Sequence, residues 1–320
     1  MLKLSPGVNC TMLAPYTKND SIDLYALAGM IDWYSKKGCR SLFAMCHSTE
    51  LHLLTMEERL KIIRGARENA DKLASSGRPK MNVIAAGSFS TSKNLQEMAD
   101  QMKQVRDAGA EAVVIITNRL DPDNELGDTL IQNAEKLLQL LPDDMSLGFY
   151  ECPLPYKRIL QDRELQWAVD SKRICFLKDT CCDPVMLHRR MELIRGSELL
   201  LFNANAQTLL MTLKEGAAGY SSIMANITPE LYVWLCDNFN RFPEKAEHIQ
   251  HVACFASFSE SLAYPLIAKY VMRKQGVPIE INSRMRPATD FKPYDAVIMD
   301  QLLDWVQEEL SALNADISLS

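Results

Sequence analysis

The sequence is poor in the residue patterns that announce metals, disulfides, nucleic acids or membranes. It holds five histidines and no Cys-x-x-Cys pair, and its nine cysteines (Cys10, Cys39, Cys46, Cys152, Cys175, Cys181, Cys182, Cys236 and Cys254) are an odd number scattered through apolar runs. That pattern excludes a disulfide framework or zinc ribbon and predicts buried, reduced thiols. His47, Glu50 and His52 stand near one another, but five-residue spacing does not align two ligands on a helix face. No third histidine sits at a neighbouring strand end, so neither a metal nor another cofactor is expected. There is no Lys/Arg run, and 35 basic against 41 acidic residues leave a formal charge of −6. Without a basic face to neutralise phosphates, nucleic acid is not an expected partner. No segment reaches the ~18 unbroken apolar residues of a membrane helix, and the first residues lack a signal-like apolar stretch. No membrane association is expected, and a cytoplasmic location is.

What the chain does have is repetition. Short apolar, β-branched runs recur at Val8–Leu13, Ser41–Met45, Asn82–Ala86, Ala112–Thr117, Leu147–Cys152, Ile174–Lys178, Leu199–Asn203 and Gly219–Ile223. Between them lie longer amphipathic stretches at Ser21–Lys37, Thr55–Ser75, Ser92–Ala108, Leu126–Leu140, Asp162–Val169, Pro184–Ile194 and Ala206–Glu215. Alternating strand and helix patterns predict parallel strands with helical crossovers, and eight such units close into a (β/α)8 TIM barrel of α/β class. The remainder reads as helices at Pro229–Asn238, Glu244–Ala253, Ser259–Arg273 and Pro293–Leu313, with a polar tail from Asn314 expected to fray. The expected division is therefore a barrel core over residues 1–228 and, over 229–320, the last barrel helix with a carboxy-terminal helical extension.

A barrel of this kind carries its chemistry at the carboxyl ends of its strands. Those ends are polar here: Cys46-His47-Ser48-Thr49-Glu50, Thr117-Asn118-Arg119, Tyr150-Glu151, Lys178-Asp179 and Asn203-Ala204-Asn205. Lys178 follows four apolar residues, and desolvation favours the neutral, nucleophilic amine. Tyr150 ends the preceding run, so a phenol and an amine are brought to one mouth, a pair suited to imine chemistry on a carbonyl with proton transfer by the phenol. The hydroxyls of Ser48 and Thr49, with the amides of their turn, are candidates to hold a carboxylate without quenching the lysine.

With these pieces in place the chain resembles the dihydrodipicolinate synthase and N-acetylneuraminate lyase family of class I aldolases. Cys46-His47-Ser48-Thr49-Glu50 and Leu54-Thr55-Met56-Glu57-Glu58-Arg59 are similar to the family's Gly-Thr-Thr-Gly-Glu loop and its downstream Leu-Thr-x-Glu-Glu-Arg. Val83 to Thr91 resembles its third-strand segment, which ends in a Ser/Thr turn. Tyr150-Glu151-Cys152-Pro153 stands where the family has Tyr-Asn-x-Pro, and Lys178-Asp179, 28 residues later, stands where it has the Schiff-base Lys-Glu. Gly216-Ala217-Ala218-Gly219, Ser222, Asn226 and Pro229 resemble its eighth-strand signature. The resemblance implies a (β/α)8 barrel, usually a homotetramer, in which Lys178 forms an imine with pyruvate or another 2-oxo acid.

The departures matter as much. Cys46 and Thr49 replace both loop glycines and His47 takes the first hydroxyl position; with Glu50 as anchor Ser48 is the surviving hydroxyl, whereas a one-residue slip makes Ser48 and Thr49 the pair. Asn118-Arg119-Leu120 replaces the Pro-Tyr-Tyr that supplies a relay tyrosine from a neighbouring subunit, a task open to His47. Pro155 stands where the synthases carry an arginine, so dihydrodipicolinate synthesis itself is not expected.

The expected function is a class I lyase: Lys178 and Tyr150 catalytic, Ser48, Thr49, His47 and Ser222 lining the site, and Arg119, Asn203 and Asn205 in a distal pocket favouring a hydroxylated or acidic substrate. The alternative is a non-catalytic binding or sensor descendant that holds a 2-oxo acid or sugar acid. The expected partners are a small-molecule 2-oxo acid and further copies of the chain, as a tetramer or dimer.

Overall fold

The computed structural model describes residues 4–89 and 93–318, with side chains as far as Leu313. Eight parallel strands close into a barrel in chain order. They are β1 (Gly7–Thr11), β2 (Ser41–Met45), β3 (Asn82–Ala86), β4 (Ala112–Ile116), β5 (Leu147–Tyr150), β6 (Ile174–Asp179), β7 (Leu200–Asn203) and β8 (Gly219–Tyr220). Every strand residue except Leu200 is buried. Side chains that point outward meet helices and those that point inward meet one another, which is why the strands read as unbroken apolar runs rather than alternating ones.

The crossovers are α1 (Leu24–Lys36), α2 (Met56–Ser75), α3 (Leu95–Asp107), a short α4 (Thr117–Leu120) with α5 (Thr129–Leu140), α6 (Asp162–Ser171), α7 (Pro184–Ile194) and α8 (Leu209–Lys214). Their starts follow local chemistry. Asp23, Asn94 and Asp183 accept from the first free backbone amides of α1, α3 and α7, the usual role of Asp and Asn at this position. The Leu-Thr-x-Glu-Glu-Arg stretch is a capping box: Thr55 Oγ1 accepts from Glu58 N (3.2 Å) and Glu58 Oε2 accepts from Thr55 N (2.9 Å).

Closure of the ring depends on glycine. Gly219 pairs with Gly7 across the β8–β1 seam. Gly219 has φ +154°, and a Cβ there would lie 1.9 Å from the Gly7 carbonyl oxygen, so no side chain fits. After β8, α9 (Pro229–Asn238) packs against β1 and β8, followed by α10 (Pro243–Ala256), α11 (Leu266–Lys274) and α12 (Pro293–Ser318).

Several boundaries differ from the sequence expectation. Strand four stops at Ile116 and strand five at Tyr150, because Thr117 turns into α4 and its hydroxyl donates to the Arg158 carbonyl (2.6 Å). Strand eight is two residues long and gives way to a 3-10 turn at Ile223–Asn226. The helix expected over Ser259–Arg273 is interrupted: a 3-10 turn spans Ser257–Ser261 and α11 starts only at Leu266. Pro265 has no amide hydrogen for a continuous helix. The helix expected to end at Leu313 runs on to Ser318 in place of a frayed tail. The Ser90-Thr91 turn lies outside the described residues.

All nine cysteines are free. Cys10, Cys39, Cys46, Cys152 and Cys175 are buried, whereas Cys182 is exposed. Among the described residues no helix is long and apolar enough to cross a membrane.

Candidate active site

Tyr150 and Lys178 are direct cross-strand partners in the β5–β6 register. The Lys178 Nζ lies 4.6 Å from the centroid of the Tyr150 ring and 5.6 Å from that of Phe43. Phe43 meets Phe176 edge to face and Phe176 meets Phe202 at a tilt through the barrel below them, with centroids 5.8 and 5.2 Å apart. The aromatic floor keeps water away from one side of the amine. Lys178 is 5% exposed and Tyr150 2%. Burial pushes the Lys178 amine below the usual lysine range, while Cys46, Cys152 and Glu260 pull it back up. Burial, reinforced by Cys152, raises the Tyr150 phenol, so it remains protonated.

Of the hydroxyl pair after β2, one faces the mouth and one is structural. Thr49 is fully buried, donates to the Met12 carbonyl (2.9 Å) and accepts from Cys46 N (3.1 Å), closing its own turn. Ser48 lies beside the Tyr264 hydroxyl. His47 is held below its ordinary pKa, first by burial and then by Lys178, and its Nδ1 is buried without a partner. Glu50 accepts from the amides of Arg284 (2.7 Å) and Met285 (2.9 Å), which fastens the carboxy-terminal segment to this loop. That carboxylate is already committed, and the described residues contain no group of three or more metal-ligating side chains.

The distal candidates separate in the same way. Arg119 lies on α4, is 9% exposed, and is within electrostatic reach of His52, Arg59, Cys152 and Tyr156. Asn203 is engaged locally: its amide donates to Thr208 (2.9 Å) and Thr212 (3.1 Å), and its oxygen accepts from Asn205 N (2.7 Å). Asn205 in turn bonds Gln207 and Thr208. These asparagines shape the loop after β7. Ser222, 7% exposed, lies near the Tyr220 phenol, whose hydroxyl is buried without a partner, and the Ser222 carbonyl accepts from Thr11 Oγ1 (3.1 Å).

Two groups at the mouth were not anticipated from the sequence. Glu260 lies in the 3-10 turn before α11 and Tyr264 in the break between that turn and α11. Tyr264 meets Ser48 and accepts from Asn226 Nδ2 (3.0 Å); burial holds its phenol above the usual tyrosine range. Glu260 faces Lys178, and burial raises its carboxyl to about 7 although Lys178 opposes that rise. Asn226 ties the arrangement together, donating also to the Thr11 carbonyl (2.8 Å) and accepting from Tyr34 Oη (2.5 Å).

Behind the mouth, the residues that follow Tyr150 and Lys178 point the other way, as adjacent strand residues must. Glu151 and Asp179 meet one buried arginine, Arg190 of α7: its Nη2 donates to Glu151 Oε1 (2.7 Å) and to the Leu160 carbonyl (2.8 Å), and its Nη1 donates to Asp179. Glu151 also accepts from Leu160 N and Thr180 N, both at 2.9 Å. A second buried arginine, Arg158, spans Asp121 (2.7 Å) and Glu164 (2.6 Å). The ends of β5 and β6 are therefore locked to each other and to the helical layer.

The sequence model of the dihydrodipicolinate synthetase family matches residues 5–293. Among curated relatives, the 4-hydroxy-tetrahydrodipicolinate synthase of Staphylococcus epidermidis is 23% identical over 74% of this chain and 76% of its own. That of Methanoculleus marisnigri is 25% identical over 73% and 76%. Among solved structures, a prophage protein of E. coli K12 belonging to the dihydrodipicolinic acid synthase family, in complex with pyruvate, superposes with a TM-score of 0.80 at 20% identity, covering 94% of this chain and 98% of that one. The pyruvate complex of dihydrodipicolinate synthase from Acinetobacter baumannii gives 0.77 at 19% identity, covering 94% and 99%. With the barrel, the Tyr150–Lys178 pairing and a family match spanning almost the whole sequence, the chain belongs to the dihydrodipicolinate synthetase family.

Proposed function

We propose that this protein is a class I lyase in which Lys178 forms a Schiff base with pyruvate or a related 2-oxo acid and a carbon–carbon bond is then made or broken on the enamine. The observation that carries the reading is a buried, desolvated lysine amine 4.6 Å from the ring of a buried, protonated tyrosine on the adjacent strand. Family membership supports the same reading.

The neutral amine adds to the C2 carbonyl; the Tyr150 phenol gives a proton to the developing alkoxide and takes back the proton that the nitrogen loses, leaving the neutral carbinolamine. Water then leaves the carbinolamine as the imine forms. Loss of a C3 proton gives the enamine, which attacks an aldehyde; in the reverse direction the aldol breaks and the enamine is reprotonated. Ser48 and the amides of its turn hold the C1 carboxylate, with Tyr264 behind Ser48 as the nearest further phenol for passing protons. Pro155 in place of the synthases' arginine supports a reaction other than 4-hydroxy-tetrahydrodipicolinate synthesis.

The test is borohydride reduction in the presence of pyruvate followed by intact-mass measurement, comparing the parent chain with Lys178→Ala. A reduced adduct that requires Lys178 is the expected outcome. Unchanged mass with pyruvate and with a panel of larger 2-oxo and sugar acids would remove the lyase reading and leave a binding protein.

A further inference from the structure

We propose that the cluster of Arg119, His52 and Arg59 at the far edge of the mouth seats a second anionic group, so that the ligands of this site are 2-oxo acids, or their aldols, with a carboxylate or phosphate at the end remote from the carbonyl. The identity of the ligand rests on the Schiff-base reading above; the anion seat itself does not.

Arg119 is 9% exposed, its Nε is buried without an acceptor, and it forms no hydrogen bond or ion pair among the described residues. His52 Nε2 and His47 Nδ1 are likewise buried without partners, and the two imidazoles lie 6.3 Å apart. Burial lowers the His52 pKa to about 4, and Arg119, His47 and Arg59 all add to that shift. Arg59 stacks over Phe89 (4.3 Å) and donates its Nε to the Leu51 carbonyl (3.1 Å).

Three carboxylates close to this cluster in sequence are engaged elsewhere, Glu50 by the amides of Arg284 and Met285. Glu58 is bound by Arg284 (2.7 and 3.0 Å) and by the start of α2, and Asp121 is bound by Arg158. Desolvated guanidinium without an acceptor is unfavourable, and a planar fork matches a carboxylate or phosphate. The cluster is continuous with the candidate catalytic amine. His47 feels Lys178 on one side and His52 on the other, while Cys152 lies between the reach of Lys178 and that of Arg119. Asn203 and Asn205, by contrast, are saturated by their own loop.

The experiment follows the His52 titration by NMR on the full chain with labelled histidines, in a Lys178→Ala background where no imine forms. The added ligands are 2-oxoglutarate, 3-phosphohydroxypyruvate and the monoanion 2-oxobutyrate. A second anion beside His52 favours its protonation, so the first two raise its pKa by about one pH unit or more and 2-oxobutyrate does not. The larger of the two shifts tells carboxylate from phosphate. By calorimetry, Arg119→Gln lowers the ratio of dianion to monoanion affinity by about tenfold, the usual scale of one charged hydrogen bond, and Arg119→Lys restores part of it. If Arg119→Gln does not fold, the same ratio is measured in His52→Asn.

Equal shifts with all three acids, no shift with any, or loss of both affinities in equal proportion would overturn the proposal. Failure of the Schiff-base reading shows separately, as absence of a borohydride adduct while the His52 response persists.

Discussion

Tyr150 and Lys178 face each other across the β5–β6 register, the amine 4.6 Å from the centre of the phenol ring. The amine therefore has a polarisable face and a proton donor beside it but no carboxylate hydrogen-bonded to it among the described residues. Tyr150→Phe keeps the ring and removes the proton. It is expected to slow pyruvate imine formation by about 10²-fold or more, the range of general acid–base catalysis, while the adduct still accumulates at long times. Stopped-flow mixing with borohydride quench measures this.

The pH dependence of imine formation follows from the neighbours of Lys178. The reactive amine is neutral, so the rate rises with pH through the Lys178 pKa, which burial sets below the usual lysine range. Glu260 raises that pKa, and Glu260→Gln removes the opposing charge. The rising limb is expected to move to lower pH in Glu260→Gln. A limb that stays in place or moves up would show that the carboxylate does not act on the amine.

Glu260 and Tyr264 also mark where the sequence was hard to read. Lys178 and Tyr150 were legible because each stands alone at the end of an apolar run, and a parallel barrel brings such ends together. Thr49 looks the same as Ser48 in sequence, yet a 3-10 turn over His47–Thr49 directs its hydroxyl back to Met12. Asn203 looked like a pocket residue and instead holds the start of α8. Glu260 and Tyr264 reach the mouth from some eighty residues beyond Lys178, through packing that no local pattern encodes. The signal that did exist was Pro265, which interrupts the helix expected over Ser259–Arg273 and so leaves Tyr264 in a break and Glu260 in the 3-10 turn before it.

Arg190 holds two buried carboxylates immediately behind the two candidate catalytic side chains. Arg190→Met leaves Glu151 and Asp179 buried without their cation and is expected to destabilise the fold by about 3–5 kcal/mol, read from urea unfolding. Burial already raises the Glu151 pKa against the pull of Arg190. A carboxyl with a raised folded pKa loses stability as pH rises through that value. The variant is therefore expected to regain stability on acidification from pH 7 to pH 5 relative to the parent.

Gly219→Ala tests the seam. The added Cβ would meet the Gly7 carbonyl oxygen at 1.9 Å, with φ at +154°. Strain of this kind is worth roughly 1–3 kcal/mol before any clash is counted, so a marked drop in melting temperature is expected. Gly77→Ala, at φ +90° with open space around it, serves as the strain-only control.

Tyr264 deserves one further test because it stands where Ser48 meets the carboxy-terminal helices. Tyr264→Phe is expected to slow exchange of the pyruvate C3 protons with solvent deuterium more than it slows imine formation, since it removes a phenol behind Ser48 and leaves Tyr150 in place. Equal slowing of both steps would assign Tyr264 a packing role.

The origin of that phenol has a consequence for dilution. Tyr264 and Ser48 are joined by the same polypeptide, so their encounter is governed by the fold of one chain and not by mass action between copies. For this hydroxyl pair the local concentration of each partner is fixed, and the contact remains intact in a single chain at any protein concentration at which the chain stays folded.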